Sequence, residues 1–173
     1  MTEAESRDLL YAWDGDGLEL WIADQPWRPT PDGWEVLPDF ASVNWHEPGS
    51  EPLAHQLLHM GVGVEVGIFH AEAAASWAKS DMAAHCMRVM VELGPEGDTD
   101  TADDVLGEVL APGSPAPVLL HGLDESCWPL LEHAALRGVQ ARIGMEDTLL
   151  LPDGSTAPDN AALVSAAVAL LSR

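Results

Sequence analysis

From residue 38 to the end, the chain repeats one pattern five times: a short run of β-branched and aliphatic residues, a turn, then a stretch with helical spacing. The apolar runs fall at 40–43, 62–69, 86–93, 118–120 and 139–144. Runs this continuous are what strands covered on both faces require, because neither side of the sheet is left to water. The stretches between them carry helix punctuation. Residues 51–60 stop at Gly61, 71–79 are rich in alanine, and 101–110 run into a Pro-Gly pair. The stretch 124–137 has Pro129 near its start and Gly138 at its end. A last helix follows an Asp159 cap and lines up Leu163, Ala166, Ala167, Leu170 and Leu171 on one stripe.

Strand and helix in strict alternation dictate right-handed crossovers and a parallel sheet, either open and doubly wound or an arc of a (β/α)8 barrel. A complete barrel takes roughly 200 to 250 residues, and this chain has 173. The expectation is therefore an α/β fold: a partial TIM-barrel-like parallel sheet of about five βα units over residues 38–173. Residues 1–37 form an irregular segment before it. There Asp14-Gly-Asp-Gly17 reads as a plain turn, 18–23 as a short strand, and Pro26, Pro29 and Pro31 break the rest. Trp13, Trp21, Trp27 and Trp34 crowd this segment as rim cover for a core. An unclosed arc leaves two strand edges and apolar surface uncovered, so self-association is expected.

Charge narrows the partners. A net charge of -22, with only seven Lys and Arg scattered singly, repels phosphate backbones and anionic lipid surfaces alike. Nucleic acid and membrane are thus excluded as expected partners. No run approaches the ~18 apolar residues of a membrane span, and the first residues lack a leader pattern, so a cytoplasmic location is expected. Cys86 and Cys127 lack Cys-x-x-Cys spacing and read as two reduced thiols. Neither a Gly-x-Gly-x-x-Gly nor a Walker loop is present.

In a parallel α/β fold, side chains just past the carboxyl ends of the strands face the ligand crevice. Arg142, Glu146 and Asp147 follow the fifth apolar run, His121 ends the fourth, and Ser42 and Asn44 lie at the first. Glu65 sits inside Gly-Val-Glu-Val-Gly, where a carboxylate costs several kcal/mol unless it is paired, protonated or bound to a cation. Each candidate has a plainer alternative that the residues leave open. Arg142 and Asp147 can form a structural ion pair, Glu65 can pair with an arginine such as Arg88, and His121 can be a satisfied core histidine. His55 and His59 stand four apart on a helix, a spacing able to bind zinc, but they read as residues of the outer surface.

Four blocks carry a resemblance. Pro38-Asp-Phe-Ala-Ser-Val-Asn-Trp-His-Glu-Pro-Gly49, Gly61-Val-Gly-Val-Glu-Val-Gly67, Leu119-Leu-His-Gly122 and Arg142-Ile-Gly-Met-Glu-Asp-Thr-Leu-Leu-Leu-Pro-Asp-Gly154 with Asp159-Asn-Ala-Ala-Leu-Val164 resemble the β-keto acid cleavage enzymes, among them the 3-keto-5-aminohexanoate cleavage enzyme. That resemblance implies a TIM barrel holding a divalent metal, usually zinc. It implies a reaction of a β-keto acid with acyl-CoA that gives acetoacetate and a new CoA thioester. By position it implies that Glu146 is a metal ligand and Asp147 the catalytic acid beside it. Arg142 then binds substrate or assists the base, with Glu65 also in the catalytic set, and Ser42, Asn44 and His121 line the pocket. The chain departs from the family pattern in two respects: the family's other two metal ligands form a His-x-His pair on an early strand, and no His-x-His occurs here. The family's first three strands or so, with their pocket residues, also have no counterpart, so an impaired activity is expected. The alternative to an enzyme is a non-catalytic relative acting as an interaction module.

Overall fold

A computed structural model describes residues 37–110 and 116–172. Of the irregular segment expected over residues 1–37, all but Leu37, including the short strand and the tryptophans, lies outside the described residues.

Each expected strand forms. They are β1 (Phe40–Asn44), β2 (Gly63–Ile68), β3 (Arg88–Leu93), β4 (Val118–Gly122) and β5 (Gln140–Ala141). Between and after them come α1 (Ser50–His59), α2 (Ala71–Trp77), α3 (Thr99–Leu110), α4 (Cys127–Arg137) and α5 (Asn160–Leu171). The five strands are all parallel and lie in the order of the sequence, β1-β2-β3-β4-β5. A doubly wound sheet reverses direction at a switch point. This one never does, so right-handed crossovers place every connecting helix on the same side, as in one arc of a barrel. The sheet is open: among the described residues no further strand pairs with β1 or β5.

Strand parity divides the side chains between the two faces. Ala41, Val43 and Trp45 of the β1 segment, Val64, Val66 and Ile68 of β2, Val89, Val91 and Leu93 of β3, and Val118 and Leu120 of β4 belong to one buried apolar cluster. It also takes in Ala54 and Leu57 of α1, Trp77 of α2, Val105, Leu106 and Val109 of α3, and Leu130 and Ala134 of α4. The core therefore lies between sheet and helices. The alternate positions, Ser42, Asn44, Glu65, Arg88, Met90, Glu92, Leu119 and His121, share the opposite face. That face is the polar one.

The helix ends follow the sequence closely. Gly61 and Gly138 adopt positive φ (83° and 69°) where α1 and α4 stop. Asp159 accepts a hydrogen bond from the Ala162 amide at 2.8 Å to cap α5. Two expectations need correction. The single helix expected over 124–137 is split into a 3₁₀ turn, Asp124–Ser126, whose first residue takes a left-handed φ of 48°, followed by α4. The strand expected over 139–144 keeps only Gln140–Ala141. Beyond Ala141 the backbone leaves the ladder and turns, with the amides of Asp147 and Thr148 both donating to the Gly144 carbonyl. On α5, Leu163 and Ala167 are buried, whereas Leu171 is 45% exposed and so lies off the packed stripe.

Candidate functional site

The polar face carries two layers of charged side chains. The lower layer runs straight across three strands, since Ser42, Glu65 and Arg88 stand in one register row. Ser42 Oγ donates to Glu65 Oε1 at 2.7 Å, and Arg88 grips Glu65 Oε2 through both Nε and Nη2. Glu65 is 4% exposed, so its burial is compensated by a guanidinium and a hydroxyl together. Its partner is the arginine that the sequence had allowed as one alternative.

The upper layer lies at the carboxyl end of the strands. Four residues along β3 from Arg88 to Glu92, at ~3.3 Å each, put it about 13 Å further along the strand. Glu92 and His121 face each other in register across β3 and β4. His121 is wholly buried between two carboxylates: Nε2 is 3.2 Å from Glu92 Oε2, and Nδ1 is 3.3 Å from Asp147 Oδ1. Both ring nitrogens thus sit within ion-pairing distance of a carboxylate, though neither approach has full hydrogen-bond alignment. Asp147 is in turn gripped by Arg142, with Nη2 2.6 Å and Nε 3.1 Å from Oδ1 and Nε 3.3 Å from Oδ2. Arg142 Nη2 also reaches Glu146 Oε2 at 3.0 Å, while among the described residues its Nη1 faces only the Met90 sulfur at 3.7 Å.

Electrostatics follow from this packing. Burial alone pulls the His121 pKa down, but the flanking Asp147 and Glu92 carboxylates outweigh it and leave it raised. Burial pushes Asp147 up, and His121 and Arg142 more than reverse this, holding the carboxyl below its ordinary value. Nearby, burial and the charge of Asp147 push the Cys127 thiol up to about 12. Both cysteines are buried and free.

Two glycines permit the arrangement. A Cβ on Gly122 would lie 2.3 Å from Ser126 Oγ and 2.9 Å from the Ser126 carbonyl carbon. Bare, it lets the Asp124–Ser126 turn fold against β4, from where the Asp124 amide donates to the Asp147 carbonyl at 2.7 Å. At Gly67 a Cβ would meet Asn44 Oδ1 at 2.7 Å. Asn44 uses that space, and its Nδ2 donates to Glu47 Oε1 at 3.0 Å.

All seven sequence candidates thus lie on the polar face or on the turn that closes its upper end. Arg142, Glu146, Asp147 and His121 come together. Glu65 and Ser42 form a separate layer, and Asn44 stands between the two in register with Gly67 and Met90. Glu92 was missed. Strict alternation of Arg88, Met90 and Glu92 with Val89, Val91 and Leu93 was the signal that places it beside the others.

Glu146 is 43% exposed at its side chain and is engaged by Arg142. Among the described residues no histidine, cysteine or other carboxylate joins it in a set of three metal-ligating groups. Catalytic zinc takes about three protein ligands, so the described residues do not complete a metal centre at Glu146. No described helix is long and apolar enough to cross a membrane.

A family model described as beta-keto acid cleavage enzyme matches residues 37–173. No curated protein matches the chain.

Proposed function

The chain belongs to the beta-keto acid cleavage enzyme family, and from that premise we propose that the upper layer of its polar face binds a β-keto acid that reacts with an acyl-CoA, here acetyl-CoA, whose acetyl group leaves in acetoacetate while the remaining acyl fragment of the keto acid forms the new CoA thioester. The observation that carries this reading is the state of Arg142. Asp147 and Glu146 occupy its Nε and Nη2, yet among the described residues Nη1 meets only a thioether. A sulfur is a weak acceptor, so a substrate carboxylate or keto oxygen would readily replace it at this edge of the guanidinium, and the arginine is already held in place for it.

Roles for the remaining groups follow from their surroundings. Asp147 fixes the guanidinium plane and, ionised, is the base nearest the substrate position. His121 holds the opposite side of Asp147 and carries positive charge into a buried cluster otherwise dominated by acids. Ser42, Glu65 and Arg88 form the floor, and Asn44 stands above them as a side-wall donor. Glu146, at the rim, supplies one carboxylate for the divalent metal, zinc by family resemblance, whose Lewis acidity would polarise a keto oxygen. The described residues do not complete its ligand set, so any further ligands would have to come from outside them, in a larger assembly. The exposed Val164, Val168 and Leu171 of α5, at 47%, 60% and 45%, support a second copy as part of that assembly.

One specific observation favours a second reading. Glu92, Asp147 and Glu146 give three negative charges against Arg142 and His121. An anionic substrate is therefore received weakly unless a cation joins the site, which fits a relative that binds ligand without turning it over. Incubating the full chain with zinc, a β-keto acid and acetyl-CoA, with mass-spectrometric detection of acetoacetate and the new thioester, separates the two. Product formation supports the condensation. Ligand binding without product leaves the binding protein.

A further inference from the structure

On the outer surface, away from the polar face, the helix carrying His55 presents a second set of ligating groups. Glu51 and His55 are four residues apart on α1, so they share one side of the helix. Asp81 is the first residue of the 3₁₀ turn Asp81–Ala84, whose backbone is fixed by Ser80 Oγ accepting from the Met82 amide at 3.2 Å. His55 Nε2 and Asp81 Oδ1 are 3.3 Å apart. One ligand atom from each of the three residues lies within 4.8 Å of the other two.

Two carboxylates brought this close repel each other unless a cation sits between them. Among the described residues no lysine or arginine ion-pairs with Glu51 or Asp81. Lys79 lines the neighbouring groove of about 530 Å³ with Glu51, Glu72, Ala75, Ser76 and Ser80, and makes no ion pair there. His59, which the sequence spacing paired with His55, takes no part.

We infer that Glu51, His55 and Asp81 form a site for a divalent transition-metal ion of the zinc class. One imidazole nitrogen and two carboxylate oxygens suit that class better than magnesium or calcium, which prefer all-oxygen shells. Water completes the coordination. The ion clips α1 to the segment that leads into β3, across the intervening α2, and its role is structural. Its position on the helical side makes it independent of the proposed keto acid pocket.

The test is calorimetric titration of zinc chloride into the untagged full-length chain, run in parallel on Glu146→Gln so that metal in the pocket is counted separately. About one equivalent binds in Glu146→Gln, and any further equivalent in the wild type is assigned to the pocket. His55→Gln and Asp81→Asn each weaken that binding by at least about 10-fold, while Glu72→Gln, in the same groove but outside the triad, leaves it unchanged. Zinc at about 100 times its Kd raises the thermal midpoint by about 5 °C in Glu146→Gln and not in His55→Gln. All substituted side chains here are on the surface, so the variants fold. Zinc binding of equal strength in His55→Gln and Asp81→Asn, or no binding at about 1 mM zinc, overturns the inference.

Discussion

Replacing Arg142 by Met keeps the aliphatic stem and removes the charge that neutralises Asp147. The Asp147 side chain is fully buried and the Arg142 side chain 30% exposed. Removing one partner of a buried pair costs about 3 to 5 kcal/mol when the other is left alone. Asp147 is not left alone, because His121 stays 3.3 Å away, so about 2 to 3 kcal/mol is expected at pH 7.5. In a chain of this length that is a drop of about 5 to 10 °C in thermal midpoint. The penalty depends on pH in a set direction. Arg142 and His121 hold the folded Asp147 pKa below its unfolded value, so the stabilisation is complete above the unfolded value of about 3.9 and is lost as pH falls through the folded value. Met at position 142 removes part of that stabilisation, and the gap between the two proteins closes on acidification. Urea unfolding followed by tryptophan fluorescence at pH 7.5, 5 and 3.5, with equal m-values in both proteins, measures it. A penalty under about 0.5 kcal/mol at pH 7.5, or one that does not shrink by pH 3.5, refutes the account of Asp147 as a charge held by Arg142.

His121→Gln tests the other side of the same cluster. The raised pKa of His121 means its stabilising charge is fully present below the unfolded value of about 6.5 and is lost as pH rises through the folded value. The loss in urea midpoint is therefore largest near pH 6 and smaller at pH 9; the opposite trend counts against imidazolium pairing with Glu92 and Asp147. Gly122→Ala inserts a methyl 2.3 Å from Ser126 Oγ and 2.9 Å from backbone, and about 1 to 3 kcal/mol of destabilisation follows, read as a lowered thermal midpoint. An unchanged midpoint shows that the Asp124–Ser126 turn is free to move. Sedimentation at micromolar concentration shows a dimer or larger species, because the open sheet edges and the apolar side of α5 need cover; a clean monomer is the contrary result.

The fold was legible because Val62 to Phe69 and Cys86 to Leu93 place an aliphatic residue at every second position, the face that the helices cover, and helical stretches separate one such run from the next. The fifth strand was overread. Arg142 to Gly144 continues the apolar run in sequence, yet the pull of Arg142 toward Asp147 and the turn at Gly144 take it off the sheet. Within the site, Arg142, Asp147 and His121 were legible from their place after apolar runs. The union of Ser42, Glu65 and Arg88 was only partly so, since it depends on register between strands 23 residues apart in the chain, which no local pattern fixes. Glu92 escaped because one acid inside an apolar strand was weighed at Glu65 and not at the position that parity marks as its counterpart. The Glu51, His55 and Asp81 grouping was hidden for a different reason. Two of its members share a helix, but Asp81 reaches them only through packing of the 3₁₀ turn against α1.

The central claim is that the Nη1 edge of Arg142, which among the described residues meets only the weakly accepting Met90 sulfur, receives the keto acid. Calorimetric titration of acetoacetate into the wild-type chain and into Arg142→Lys tests it most directly, since lysine keeps the charge but loses the planar fork. At least about a 10-fold loss of affinity in Arg142→Lys, measured well below both thermal midpoints, is the predicted result. Equal affinity in the two proteins would contradict it.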